Sequence, residues 1–236
     1  INTLTKKIEL NKSRILNDYP NYAINDLVYS NSDNKIFCDL NYFQEGQQTK
    51  FSVACLNPDF NINWFKIIQY QTQKSCTSLS SFLLHDNKLI VAGYANDPGK
   101  ATISGKMWDS GFITCLDIIG NQIWQTRIGL TNYTERLFSI CIHNGFVYSA
   151  GYQSAYLSNK DVGNGSDYLK YANGLISKID INNGSILSNF TFGNPNYESG
   201  FHHLSFIQEK PCIVGWTKYY ETEGGYQAWF VKLGGF

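Results

Sequence analysis

The sequence predicts an all-β protein, a four-bladed β-propeller built from four-stranded antiparallel blades. Three observations lead there. Short runs rich in Ile, Val, Leu, Tyr and Trp are bounded by Asn, Asp and Gly, the mark of strands joined by tight turns. The runs recur with a period of several tens of residues. A strand-like run at the start has no partner, while the last repeat stops one strand short.

The clearest repeat lies between Leu83 and Gly129: two strands across an Asp86-Asn87 turn, a polar excursion, then two strands across a turn at Gly120-Asn121. Leu84 to Tyr94 aligns without a gap on Ile142 to Tyr152, more faintly on Phe206 to Trp216, and most faintly on Asn34 to Leu40. Third strands recur at Phe51 to Asn57, Gly111 to Asp117, Gly174 to Asp180 and Trp229 to Gly234. The blades therefore fall at about 14-70, 71-130, 131-193 and 194-236, the last completed by 1-12. In that arrangement Leu4 to Leu10 supplies the missing strand and leaves no open sheet edge. Gly93, Gly151 and Gly215 recur where a second strand meets a large aromatic, which predicts close backbone approach at each.

A chain of 236 residues is of single-domain size for an all-β protein. Charged residues make up 16%, below the roughly 25% usual for soluble domains, and aromatic residues make up 15%. With zero net charge and no Lys/Arg block, the composition argues against a nucleic-acid partner or a polybasic membrane patch. No apolar run approaches the roughly 18 residues of a membrane span. The chain begins with Ile1, and N-x-Ser/Thr sequons occur at Asn11, Asn132, Asn164, Asn183 and Asn189. A leader removed in processing and an extracellular or cell-surface location are expected, with glycans on the loop positions Asn132, Asn164 and Asn183.

Cys38, Cys55, Cys76, Cys115, Cys141 and Cys212 form no CxxC and no zinc-finger spacing. Cys55 and Cys115 share a repeat position in third strands, where a thiol acts as a small buried hydrophobe. Disulfides remain open for an exported chain, and the sequence chooses no pairing. The runs Gly111 to Asp117 followed by Gly120 to Trp124, and Ala228 to Leu233, resemble the short propeller repeats of secreted prokaryotic proteins of the SBBP and PQQ-like type. In those repeats the third strand reads aromatic-Val-x-Lys-Leu-Asp, a Gly turns the chain and a Trp sits in the fourth strand. The resemblance implies the fold and no catalytic residue. The chain is too short for eight blades and lacks vicinal cysteines, so no quinone or other cofactor is expected.

Function is expected on one face. The connections from second to third strand are long, at 41-50, 95-110, 153-173 and 217-226, whereas the opposite turns are tight. The long connections and the links between blades carry many aromatic rings, and Trp108, Tyr133, Tyr168, Tyr171, Tyr219 and Tyr220 are the candidate contact residues. The expected function is a non-enzymatic binding or adhesion module that meets a glycan, a peptide or a protein partner. The alternatives are a subunit of a larger self-assembling extracellular structure, and a hydrolase or lyase with carboxylates from different blades. The acids Asp97, Asp109, Glu135, Asp161, Asp167, Glu198, Glu221 and Glu223 show no diagnostic spacing. The run Asn159 to Asp167 has oxygen ligands at calcium-loop intervals but lacks the distal Glu, so it reads as a polar loop and no metal is expected. His85 and His143 are repeat-equivalent turn residues, and His202-His203 reads as a structural pair placed just before a strand.

Overall fold

The protein is described by a computed structural model over residues 22–24, 26–42, 50–70, 74–75, 78–97, 108–129, 133–155, 172–193, 197–219 and 225–233. Its first blade holds β1 (Tyr22–Ala23), β2 (Leu27–Ser30), β3 (Lys35–Tyr42), β4 (Lys50–Leu56) and β5 (Ile62–Ile67). β1 and β2 both pair with β3 and together make one interrupted inner strand. The ribbon β6 (Gln69–Tyr70) and β7 (Lys74–Ser75) precedes the second blade: β8 (Ser78–His85), β9 (Lys88–Asp97), β10 (Trp108–Asp117) and β11 (Gln122–Ile128). The third blade is β12 (Tyr133–His143), β13 (Phe146–Ala155), β14 (Ala172–Asp180) and β15 (Ile186–Phe192). The fourth is β16 (Tyr197–Ile207), β17 (Lys210–Tyr219) and β18 (Gln227–Lys232). Every pairing is antiparallel between chain neighbours within a blade. The run Leu4 to Leu10 lies outside the described residues, as does the closure assigned to it.

The first hairpin of each later blade turns through two residues of positive φ: Asp86 (45°) and Asn87 (60°), Asn144 (49°) and Gly145 (77°), Gln208 (50°) and Glu209 (63°). Positive φ at both central positions is the type I′ geometry that follows the strand twist, and Asn, Asp and Gly tolerate it best. Further along each hairpin the register slips by one residue on the inner strand, between Leu79 and Ser81, Leu137 and Ser139, and Phe201 and His203. Opposite each bulge stands the predicted glycine. A Cβ on Gly93, Gly151 or Gly215 would collide with the carbonyl oxygen of Ser78, Arg136 or Gly200 respectively. The glycines are therefore required by a repeated bulge.

Adjacent blades pack face to face in one recurring way. The next inner strand drives a large side chain against a glycine of the preceding third strand, Leu137 at Gly111 and Phe201 at Gly174. An inner-strand serine then accepts a backbone N–H from the following blade: Ser81 Oγ from Ile140 N at 3.1 Å, and Ser139 Oγ from Leu204 N at 3.2 Å. The fourth-strand indoles reach across as well, Trp64 Nε1 donating to the Ile118 carbonyl (3.0 Å) and Trp124 Nε1 to the Ile181 carbonyl (3.1 Å). Each rests on a positive-φ glycine, Gly120 or Gly184. Between these contacts lie the apolar seams, with Phe37, Val53 and Phe112 between the first and second blades, Ile113, Val147 and Leu175 between the second and third, and Ile176, Phe201 and Ile213 between the third and fourth. Cys38, Cys55, Cys115, Cys141 and Cys212 are free thiols, and Cys55 and Cys115 fill the same third-strand position as buried apolar groups.

Candidate functional site

Inner strands begin, second strands end and third strands begin at one end of the ring, so residues far apart in sequence meet there. The start of β12 brings Tyr133, Thr134, Glu135 and Arg136, β10 brings Asp109, β9 brings Tyr94, and β13 brings Tyr152 and Gln153. Asp109 lies buried against Arg136, whose Nε stands 2.6 Å from Asp109 Oδ2. The Asp109 amide donates to Thr134 Oγ1 at 3.3 Å, tying the start of the third strand of blade two to the inner strand of blade three. The Arg136 guanidinium also covers the Tyr94 ring, 4.6 Å from its centre.

Glu135 is fully buried, and its carboxylate accepts from Gln153 Nε2 at 3.3 Å. It rests where a Cβ of Gly129 would stand, at the end of the second blade. Gly129 has φ 113°, so its backbone and the space it leaves both exclude a side chain. Glu198, the second residue of β16, is buried at the same end of blade four. Acids are seldom buried unless paired or used in chemistry, and here three arrive from three blades.

Electrostatics follow from burial. Desolvation works against the Arg136 charge, but Tyr152, Asp109 and Tyr94 outweigh it and raise its pKa. Burial pushes the Tyr152 phenol up to about 12, against the opposing pull of Arg136. Tyr152 is thus a neutral wall of the site, and Arg136 a fixed cation. Tyr94, Tyr133 and Arg136 are the half-buried members through which the cluster reaches the surface.

A cavity of about 230 Å³ opens at the opposite end, between blades three and four. There His143 stacks on Phe206 with ring centres 3.9 Å apart and meets Glu209 at 3.0 Å, while Lys178 lies 4.3 Å over the Phe146 ring. It holds one exposed carboxylate and no acid pair. Asp39, another buried acid, is structural, since its Oδ1 accepts from the Asp26 amide at 2.7 Å and so satisfies the break between β1 and β2.

Of the sequence-predicted contact residues, Tyr133 is half-buried beside the acid cluster. Trp108 stands in β10 opposite Asp97, and Tyr219 in β17 opposite Tyr197. Tyr168, Tyr171 and Tyr220 lie outside the described residues, as do Asn132, Asn164 and the run Asn159 to Asp167. Asn183 is exposed in a turn, where its Oδ1 accepts from the Ser185 amide at 2.8 Å. The strands run further than expected into the connections, with β9 reaching Asp97 and β13 reaching Ala155. His202 and His203 stand within β16 at its bulge, and His202 stacks on Phe138. Sequence reasoning missed Tyr94, Thr134, Arg136 and Gln153. No spacing marks them, because they are gathered from the ends of three different strands.

The fold is that of a β-propeller. No family model and no curated protein matches the sequence. Among solved structures the chain is similar to a GH43 β-1,3-galactosidase, with 12% identity and a TM-score of 0.43 over 87% of this chain and 41% of that one. It is also similar to an α-L-arabinanase of Cellvibrio cellulosa complexed with arabinohexaose, at 10% identity and TM-score 0.42 over 87% of this chain and 71% of that one. A third is an exo-β-1,3-galactanase from Clostridium thermocellum, at 14% identity and TM-score 0.42 over 92% of this chain and 48% of that one. The chain thus spans less than half of the first and third of these proteins. All three bear the names of enzymes that cleave glycosides, whereas the sequence alone pointed to a non-enzymatic binding or adhesion module; that expectation is not retained. Asp109, Glu135 and Glu198 are buried near the same end of three different blades, and their linear spacing carries no signal of it.

Proposed function

We propose that the chain is a hydrolase that cleaves a glycosidic bond at the long-connection end of the ring. The observation that carries this reading is the burial of Asp109, Glu135 and Glu198 at that end, one each from blades two, three and four. Glycoside hydrolysis needs a carboxylic acid to protonate the leaving oxygen and a second carboxylate to act at, or stabilise, the positively charged sugar carbon. Glu135, which meets the neutral donor Gln153, is the proton-transferring group; Asp109, ion-paired with Arg136, is the fixed negative partner. Tyr94 and Tyr133 offer ring faces to a sugar. A glycan substrate and an extracellular or cell-surface location belong to this reading, in keeping with the exposed sequon at Asn183 and with the resemblance of the repeats to secreted SBBP and PQQ-like propellers.

The test is release of reducing sugar from a panel of oligosaccharides that includes galactans and arabinans, by the chain and by Glu135→Gln and Asp109→Asn. Activity on a panel member that falls by about 100-fold or more in both variants, with circular dichroism unchanged, is expected. No hydrolysis across the panel, or variants as active as the parent, overturns the proposal.

A further inference from the structure

The fourth-strand tryptophan is not repeated in blade three. In blades one and two it stands opposite a third-strand cysteine, beside a one-residue bulge: Trp64 opposite Cys55 and Trp124 opposite Cys115. At the same place in blade three, beside the same bulge, Ser188 stands opposite Lys178. The second strand changes with them, since Phe37 beside Cys55 and Ile90 beside Cys115 give way to Tyr148 beside Lys178. A large apolar ring has become a small hydroxyl, and a small apolar thiol has become a long cation.

This exchange coincides with an opening. Between blades two and three the layer is closed, with Ile90 and Cys115 at 0% exposure and Trp124 at 8%. Between blades three and four, Tyr148 and Lys178 instead line the cavity of about 230 Å³. Its other walls are largely rings: Phe206 meets Tyr148 edge-on at 4.8 Å and stacks on His143. The Lys178 ammonium lies over the Phe146 and Tyr148 rings, 4.3 and 5.6 Å from their centres, and among the described residues no carboxylate pairs with it. Glu209, the carboxylate of the lining, is already held, 3.0 Å from His143 and accepting from Asn144 Nδ2 at 3.1 Å. The cavity therefore offers aromatic walls and one cation whose charge no acid offsets.

We propose that this cavity binds a small aromatic carboxylate. The ligand's ring would pack among Tyr148, Phe206 and Phe146, where the earlier seams spend an indole of their own, and its carboxylate would accept a charge-assisted hydrogen bond from Lys178 Nζ. The volume lies below the roughly 300–1,000 Å³ of drug-sized pockets, so the occupant is a single ring rather than an oligosaccharide. The site is at the opposite end from Asp109 and Glu135 and does not depend on the activity proposed there.

Calorimetric titration of the full chain with benzoate tests this. Saturable binding is expected, with benzyl alcohol, which has the ring without the charge, and acetate, which has the charge without the ring, each weaker by about tenfold or more. Lys178→Met keeps the stem and removes the ammonium, and should weaken benzoate by a similar factor, whereas Lys178→Arg should retain most of the binding. Lys178→Cys with Ser188→Trp rebuilds the pair of blade two and should abolish it. Thermal unfolding checks that each variant folds, and Lys178→Met decides the matter if the double variant does not. The proposal is overturned if benzoate fails to bind, if acetate or benzyl alcohol binds as tightly, or if Lys178→Met binds benzoate as the parent does.

Discussion

The indole Nε1 of Trp124 donates to the carbonyl oxygen of Ile181 across the seam between the second and third blades, at 3.1 Å. Trp64 makes the same bond to Ile118 one seam earlier. The fourth-strand tryptophan is therefore a bond between blades rather than a filler within one. Replacing Trp124 with Phe keeps most of the ring contact and removes the donor, so chemical unfolding should show a loss of about 0.5–1.5 kcal/mol. Trp124→Ala also empties the space over Gly184, and should cost about 3–5 kcal/mol. Equal losses in the two variants would show that the hydrogen bond, not the packing, dominates.

Ser139 offers a sharper comparison. Its hydroxyl accepts the buried Leu204 N–H, so Ser139→Ala leaves that donor without its partner inside a packed seam. A loss of about 1–3 kcal/mol is expected, measured by urea unfolding. Ser205→Ala, on an exposed position of the neighbouring strand, should stay within about 0.5 kcal/mol of the parent.

Gly93→Val places branched atoms where the Ser78 carbonyl already stands. The bulge and the hairpin cannot both keep their register around that side chain. Thermal unfolding should reveal a loss of at least about 1–3 kcal/mol, the range of overpacking. Gly225→Val, at an exposed position whose Cβ would meet open space, is the control and should be near neutral.

Buried thiols make the fold sensitive to alkali. Burial raises Cys38 from 9.0 to about 12 and Cys115 from 9.0 to about 11. Both folded values lie above the unfolded one, so the native state keeps protons that the unfolded chain releases as pH rises past 9. Stability is unaffected by these groups below that point and falls above it, by about 1.4 kcal/mol per pH unit for each thiol until its folded pKa is reached. The unfolding midpoint followed across that range should drop less steeply in Cys38→Ala than in the parent. An identical slope would mean that Cys38 has no part in the alkaline loss.

Much of the fold can be read from local sequence, because its determinants are local. Alternating Ile, Val and Leu set each strand, Asp86-Asn87 and Asn144-Gly145 set the turns, and Gly93, Gly151 and Gly215 announce the close approach that the bulges require. The reason for those glycines was legible only in part: the colliding carbonyls of Ser78, Arg136 and Gly200 are near neighbours across a hairpin, but the one-residue slip that creates the collision leaves no mark in composition. The tryptophans were visible as a repeat feature, whereas their acceptors lie more than fifty residues away.

The ion pair of Asp109 with Arg136 belongs to the tertiary structure. Asp109, Glu135 and Glu198 stand at ordinary positions in the chain, and nothing about their spacing distinguishes them from the acids of the connections. Packing of blade three on blade two brings Asp109 to Arg136, whereas Glu135 meets Gln153 across the hairpin of blade three itself. Periodicity along the chain thus determined the blades, because strand and turn preferences act over a few residues. The meeting of Asp109 with Arg136 was decided by how blades two and three pack, because that distance is set through space and not along the chain.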